Sequence, residues 1–262
     1  MDCSGRLLIN GQTAGMCLHP SGELISDVIR RGNIWDANTC RAAVRLANGG
    51  TIWDIGANIG ALSLCIMMLH SGKLHSVEAV PWNFSLLSTT RTMNLNAYGS
   101  RWTIYKAALD SEKNNEAIFH GSRNNFGGTT AVMAKHHPHY YRGWGKKPQQ
   151  VATIKTNTLD SLMSQTCAKV LKIDVEGFER FVMDGFSHHM VDPILRPCHI
   201  VMEWHIILLN AAGVARNISN NANELEKKLK GWGYHTSLST RLRHDMITWS
   251  IRSANAQCCE RG

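Results

Sequence analysis

Apolar and polar positions divide this chain into strands and helices in regular succession. Thr51 to Ile55, with β-branched residues and a tryptophan, reads as a buried strand. Glycines follow at 56 and 60, and Ile59 to Leu69 is apolar almost throughout, as expected of a helix covering a sheet. Leu74 to Val80 reads as the next strand. Pro81 to Asn96 reads as the next helix, its proline in a favoured first-turn position. Arg101 to Leu109 is the third strand. Residues 111 to about 150 lose helical period, and hairpins with a long excursion are predicted there. Ala152 to Thr156 reads as a strand, Thr158 opens a short helix, and Val170 to Asp174 is the fourth core strand. A helix over Phe178 to Phe186 and a strand over His199 to Glu203 follow. Asn223 to Lys230 is an amphipathic helix with Glu early, Lys late and Gly231 past its end. Tyr234 to Leu238 and Met246 to Arg252 close the sheet as a hairpin. Ahead of all this, Met16 to His19 reads as a short strand before a Pro20-Ser21-Gly22 turn. A helix capped by Asp36 or Asn38 runs from there to about Leu46.

Strands alternating with helices imply a parallel sheet covered on both faces. The first 47 residues read as an N-terminal extension packing on a catalytic domain of residues 48–255, which carries an insertion at about 111–157. Sheets of this kind bind ligands beyond the carboxyl ends of their strands. Asp54, Glu78, Asp174 and Glu203 all fall at such ends.

The loop after the first core strand reads Asp54-x-Gly56-x-Asn58-x-Gly60. It lacks the Gly-Lys-Ser/Thr of a phosphate-binding P-loop and the three-glycine spacing of a dinucleotide fingerprint. Gly56 and Gly60 permit a sharp turn and close approach to a ligand, and free N–H groups at the helix start would face that ligand. A carboxylate at Asp54 repels a diphosphate and attracts an ammonium or sulfonium. S-adenosylmethionine carries both cations. Glu78 lies twenty-four positions after Asp54, where an acidic residue accepts the hydroxyls of a ribose. The plainer alternative for Glu78 is a solvated strand-end charge.

Of the 262 residues, 44% are hydrophobic, enough for a substantial core, and no run of eighteen apolar residues suggests a membrane span. The start of the sequence lacks the order of a signal peptide, though an anchor outside it is left open. A net charge of +8 permits an anionic partner such as nucleic acid, a charged glycan or a phosphosugar, or a basic surface that binds nothing. Eight cysteines form no C-x-x-C pair. They read as buried or inert free thiols, which suits the cytoplasm or another reducing compartment.

Lys172-Ile173-Asp174-Val175-Glu176-Gly177-Phe178-Glu179 is the second chemical stretch. Strand alternation puts Lys172, Asp174 and Glu176 on one side, where three buried charges would be costly unless they edge a site. This stretch, preceded by Asn157-Thr158-Leu159-Asp160-Ser161-Leu162 and by the segment from Asp54 to Leu64, resembles the FkbM-type family of class I S-adenosylmethionine-dependent methyltransferases. The resemblance covers roughly residues 15 to 250. Together with the strand order it implies an α/β fold, a Rossmann-like doubly wound, mostly parallel seven-stranded sheet. A C-terminal antiparallel hairpin and an inserted hairpin or loop region complete it. It further implies methyl transfer to oxygen, usually a hydroxyl of a sugar or small natural product. The cofactor set it implies is Asp54, Gly56, Ala57, Asn58, Gly60, Glu78, Ala79, Ala107 and Asp174, with Asp174 and Glu176 beside the methyl group.

A hydroxyl must lose its proton as it attacks the methyl, and a carboxylate or imidazole can take it. Asp174 is the first candidate base and His205 the second, the alternative for His205 being a packed strand-end histidine. Lys172 is read as a charge partner of Asp174. Asp174, Glu203 and His205, with Glu176, would suit Mg²⁺ or Mn²⁺ if the fourth and fifth strands are neighbours. A metal-free acid–base cluster is the preferred alternative. The excursion at 135–147 mixes cations and aromatics, including His136, His137 and His139, and is expected to border the acceptor, with Asn124 to Thr129 as a nearby hairpin turn. The acceptor expected is a sugar or glycan. An RNA methyltransferase and a non-catalytic S-adenosylmethionine-binding module are the other readings. Against RNA stand the missing Asn/Asp-Pro-Pro-Tyr/Phe element and the glutamate, not lysine, that ends the fifth strand.

Overall fold

The computed structural model describes residues 1–122, 125–133, 149–164, 166–204, 221–236, 246–251 and 258–259. β1 (Asp2–Ile9) and β2 (Gln12–Leu18) form a hairpin, followed by α1 (Leu24–Arg30) and α2 (Ala37–Ala47). The first half of the sheet is β3 (Ile52–Ile55), α3 (Ala61–Leu69), β4 (Leu74–Glu78), α4 (Pro81–Met93), α5 (Leu95–Tyr98) and β5 (Trp102–Lys106). Next come β6 (Ala108–Leu109), β7 (Glu116–Ser122), β8 (Asn125–Met133), β9 (Gln149–Asn157) and α6 (Leu159–Met163). The second half contains β10 (Val170–Ile173), α7 (Glu179–Asp184), α8 (Ser187–Val191) and β11 (His199–Glu203). It ends with α9 (Asn221–Gly231), β12 (Tyr234–Thr236) and β13 (Met246–Ile251).

The main sheet has seven strands in the order β12-β13-β11-β10-β3-β4-β5. Its five inner and β5-side strands are parallel, while β13 and β12 run antiparallel as the closing hairpin. This is the Rossmann-like, mostly parallel fold expected. The chain leaves β3 toward β4 and β5, then returns to place β10 on the other side of β3. The crevice between the carboxyl ends of β3 and β10 is therefore the topological switch point, where such sheets bind ligands.

β3 and β10 are buried along their whole length, as central parallel strands covered on both faces must be. Alternation sends Ile52, Leu74, Val170 and Val201 to one face, against Ile59, Leu64 and Ile66 of the α3 segment and Met16 and Leu18 of β2. Trp53, Ile55, Leu171, Ile173, Ile200 and Met202 go to the other face, against Val182, Phe186, Leu225 and Leu229. The insertion folds as a second sheet in the order β6-β9-β7-β8. Of the segment Asn124 to Thr129, expected as a hairpin turn, Asn125 onward belongs to β8, and Asn124 lies outside the described residues.

β1 and α1 were not expected. β1 shows little apolar alternation on its sequence, and its register comes from pairing with β2. The helix after Pro81 stops earlier than its pattern suggests. Asn94 turns its side-chain amide onto Thr90 O and Gly15 O, competing with the helical ladder and tying α4 to β2. Gly231 is the last residue of α9 rather than the residue beyond it.

The free-thiol expectation is overturned. All eight cysteines are paired, as Cys3–Cys17, Cys40–Cys65, Cys167–Cys259 and Cys198–Cys258. Partners lie 14 to 92 residues apart and meet only through tertiary structure, so no local spacing betrays them. The argument for a reducing compartment falls with the free thiols, because structural disulfides persist where conditions are oxidising. Among the described residues, no helix is long and apolar enough to cross a membrane.

Candidate active site

Asp54 is fully buried in β3, directly across from Lys172 of β10. The Lys172 ammonium lies 2.9 Å from Asp54 Oδ1 and 3.9 Å from Asp174 Oδ2. It also donates to Gly56 O at 3.1 Å. Burial alone would push this lysine's pKa down, but the Asp54 and Asp174 carboxylates more than offset it and hold it above the ordinary value. The other Asp54 oxygen accepts from Ser63 Oγ at 2.5 Å; Ser63 contacts Ser76 Oγ, which accepts from Trp102 Nε1.

Two expectations change here. Asp54 is matched by a cation of the protein itself, so it does not present a bare anion, and its power to select against a diphosphate is lost. Lys172 is first the partner of Asp54 and only second that of Asp174.

The glycines also work differently from the expectation. A Cβ on Gly56 (φ +79°) would sit 1.8 Å from Asp174 O, and one on Gly60 (φ +88°) 2.7 Å from Leu87 Cδ1. Their missing side chains make room for β10's end and for α4. Nor are the loop's N–H groups free. Gly56 and Ala57 donate to Val77 O at 3.0 and 2.9 Å, and Gly60 to Ala57 O at 2.9 Å. Asn58 N donates to Glu78 Oε2 at 2.8 Å and Ile59 N to Asn58 Oδ1 at 2.7 Å.

Glu78 ends β4 and is 6% exposed. Its second oxygen accepts from Val80 N at 2.7 Å. Burial raises its pKa to about 7, against the pull of these two N–H groups. Ala79 and Ala107 are half-buried at the same rim, where Ala107 N donates to Glu78 O at 3.2 Å, and Ala57 is buried beneath them.

β10 ends at Ile173, one residue sooner than expected. Asp174 N donates to Ile55 O at 3.1 Å, and the Asp174 side chain is 19% exposed. The chain then turns through Glu176 at φ +56° and Gly177 at φ +100°. Strand alternation therefore does not reach Glu176, which sits half-buried in the turn. Glu179, in the first turn of α7, was missed as a site residue. It is fully buried and accepts from Val175 N at 2.9 Å and Gly177 N at 3.3 Å. An acidic residue at a helix start was the available signal.

Glu203 ends β11, one residue beyond the Ile173–Met202 pair. The expected metal set includes His205, which is outside the described residues; among those described, Asp174, Glu176 and Glu203 form no three-ligand group. The group that does form there is Asp160, His188 and His189. In it Asp160 caps α8, accepting from the backbone N–H groups of His188 and His189 at 2.9 and 3.0 Å. His205, Asn124 and the 135–147 excursion lie outside the described residues.

With the sheet order, the loop and the β10 turn in place, comparison with known proteins is informative. The methyltransferase FkbM domain matches residues 54–236.

The chain belongs to this family.

FkbM proteins are S-adenosylmethionine-dependent methyltransferases, and the match runs from Asp54 through the end of β12. Solved structures similar to the chain include an FkbM methyltransferase from Methylobacillus flagellatus KT, at 14% identity and a TM-score of 0.47. The alignment covers 76% of this chain and 43% of that one, so the chain spans less than half of that protein's length. An O-methyltransferase from Bacillus cereus in complex with SAH is 9% identical with a TM-score of 0.46, covering 83% of this chain and 80% of that one. A precorrin-6y C5,15-methyltransferase from Geobacter metallireducens GS-15 is 12% identical with a TM-score of 0.44, covering 90% and 93%. No curated protein matches the chain.

The two buried glutamates of this FkbM domain make its stability depend on pH. Glu78 and Glu179 are each raised from 4.5 to about 7 by burial. The unfolded chain has already lost both protons above about pH 5, whereas the folded one keeps them until about pH 7. Their stabilisation is therefore full below the unfolded pKa and lost as pH rises through 7, on the order of 1 kcal/mol per group between pH 6 and 8. Buried His70 and the partly buried His75 and His199 have pKa values lowered by desolvation and so titrate in the opposite sense. Each glutamate's share is thus read as the difference in denaturant stability between wild type and its Gln variant across that pH range. A wild type and Glu78→Gln pair that run parallel would refute the assignment.

Proposed function

We propose that this chain is an S-adenosylmethionine-dependent O-methyltransferase acting on a hydroxyl of a sugar, a glycan or a related small molecule. The observation that carries the reading is Asp174. Its carboxylate stands half-buried at the switch point, and its backbone is packed on the glycine loop through Ile55 O and Gly56.

The residues present suit the cofactor. Each Glu78 oxygen takes one backbone N–H and retains a lone pair, so the carboxylate can still accept the hydroxyls of a ribose. Gly56, Ala57, Asn58, Gly60, Glu78, Ala79, Ala107 and Asp174 would hold it, with Asp54 acting through Lys172 on the shape of the loop. When bound, it supplies a methyl group activated on a sulfonium. Asp174 takes the proton of the acceptor hydroxyl, and Glu176 holds a neighbouring hydroxyl so that the nucleophile is aligned. His205 is kept as the second candidate base. No step is assigned to Mg²⁺ or Mn²⁺. In this reading residues 1–47 are an extension on a catalytic domain of residues 48–255, inserted at about 111–157. The net charge of +8 favours anionic sugars among possible acceptors. The four disulfides favour an oxidising compartment over the cytoplasm.

Labelled methyl donor incubated with a glycan panel and with RNA tests the acceptor class. Methylated RNA beside untouched sugars would overturn it. Asp174→Asn should lower turnover by roughly 10²–10⁴-fold while calorimetry shows the cofactor still binding. Full activity in that variant would remove Asp174 as the base. Glu78→Ala should weaken cofactor binding by about 1–3 kcal/mol, and an unchanged affinity would remove the ribose assignment.

A further inference from the structure

The turn from Asp174 to Gly177 carries both carboxylates of the proposed chemistry, yet it holds two successive residues in the left-handed region, one of them Glu176. A non-glycine residue resists that conformation by about 1–2 kcal/mol. Something must therefore hold it. On one side the turn is fixed by Asp174 N to Ile55 O at 3.1 Å and by the tight seat of Asp174 O on Gly56. On the other side Glu179 meets it. Glu179 Oε1 takes the N–H of Val175 at 2.9 Å and the N–H of Gly177 at 3.3 Å, the two residues that bracket Glu176. Glu179 is completely buried, and its second oxygen has no hydrogen-bond partner. A buried carboxyl group with one oxygen unsatisfied is costly to keep. Its evident return is the geometry of the turn.

We propose that Glu179 is a positioning residue: by holding the amides of Val175 and Gly177 it fixes Glu176 in the left-handed conformation and sets how Asp174 and Glu176 face the acceptor. This rests on the methyltransferase reading above. Glu179 touches no reacting atom in it and acts through the turn alone.

Three variants separate this role from general stability. Glu179→Gln keeps a carbonyl oxygen where Oε1 stands. Glu179→Asp keeps the carboxyl group but loses the reach. Glu179→Ala loses both. Turnover is normalised to sites titrated with the demethylated cofactor, so loss of folded protein does not count. The expected result is a fall in kcat of roughly tenfold or more for Asp and Ala, cofactor affinity within about twofold of wild type, and Gln within about threefold of wild type. Amide exchange at Val175 and Gly177 should quicken in the Asp and Ala variants and stay slow in Gln. Equal kcat in all variants, or Gln no better than Asp, would overturn the proposal. If Ala does not fold, the Gln and Asp pair decides alone. Should the wild type transfer no methyl group to any acceptor, the functional reading falls by itself. The exchange rates then still uphold the brace if the Asp variant quickens and refute it if it does not.

Discussion

Lys172→Met should destabilise the fold by about 3–5 kcal/mol, the cost of leaving a buried charge without its partner. Asp54 is fully buried, and the ammonium 2.9 Å away is the cation that matches it. Ser63 supplies one further hydrogen bond, which cannot replace a full charge. The same lysine binds Gly56 O, so its loss also loosens the turn that follows β3. Asp54→Asn alone should be damaging for the mirror-image reason, although Asp174 at 3.9 Å leaves Lys172 a second, weaker partner. The double variant Asp54→Asn with Lys172→Met should be clearly more stable than the sum of the single losses, because neither charge is then stranded. Guanidinium unfolding of the four proteins measures this directly. Additive losses, or a Lys172→Met protein within about 1 kcal/mol of wild type, would show that the pair does not organise the loop.

The second large effect is covalent. Unfolding without reductant and alkylating should label none of the eight cysteines. After reduction all eight should label, and the reduced protein should be far less stable. The closed loops span from 14 to 92 residues, for which chain entropy gives about 3 to 4.7 kcal/mol per bridge in the simplest treatment. Cys40–Cys65 joins α2 to α3, the helix that follows the glycine loop. Cys40→Ser with Cys65→Ser should therefore weaken cofactor binding as well as lower the melting temperature. Extensive labelling of the unreduced protein purified from an oxidising host would refute the pairing.

Much of the fold could be read from residue pattern because the central strands obey simple rules. β3, β4, β10 and β11 are short, largely buried runs with an acidic residue at or next to the carboxyl end, and His199–Glu203 matches its expected bounds residue for residue. The FkbM motifs supplied what periodicity could not, namely that Asp54 to Gly60 and Lys172 to Glu179 belong to one site. What was not legible depends on contacts between distant segments. Nothing near Asp54 says that Lys172, 118 positions later, will neutralise it. Nothing in the loop's spacing says that Gly56 and Gly60 also make room for Asp174 O and Leu87. Glu179 looked like an ordinary helix-start acid until its oxygen was found on the amides of the preceding turn. Cysteine pairing was hidden for the same reason, since the partners share an environment and not a spacing.

Cys258 and Cys259 are consecutive, and they reach two different places. One binds Cys198, just before β11, and the other binds Cys167, just before β10. Both anchors lie at the amino ends of their strands, whereas Asp174 and Glu203 lie at the carboxyl ends. Covalent reinforcement and the carboxylates of the proposed site thus lie at opposite rims of the same two strands. Under the proposed function, substitutions around the carboxyl rim should alter which acceptor is taken without disturbing the clasp beneath it. One rim is left to diversify while the other keeps β10 and β11 in step.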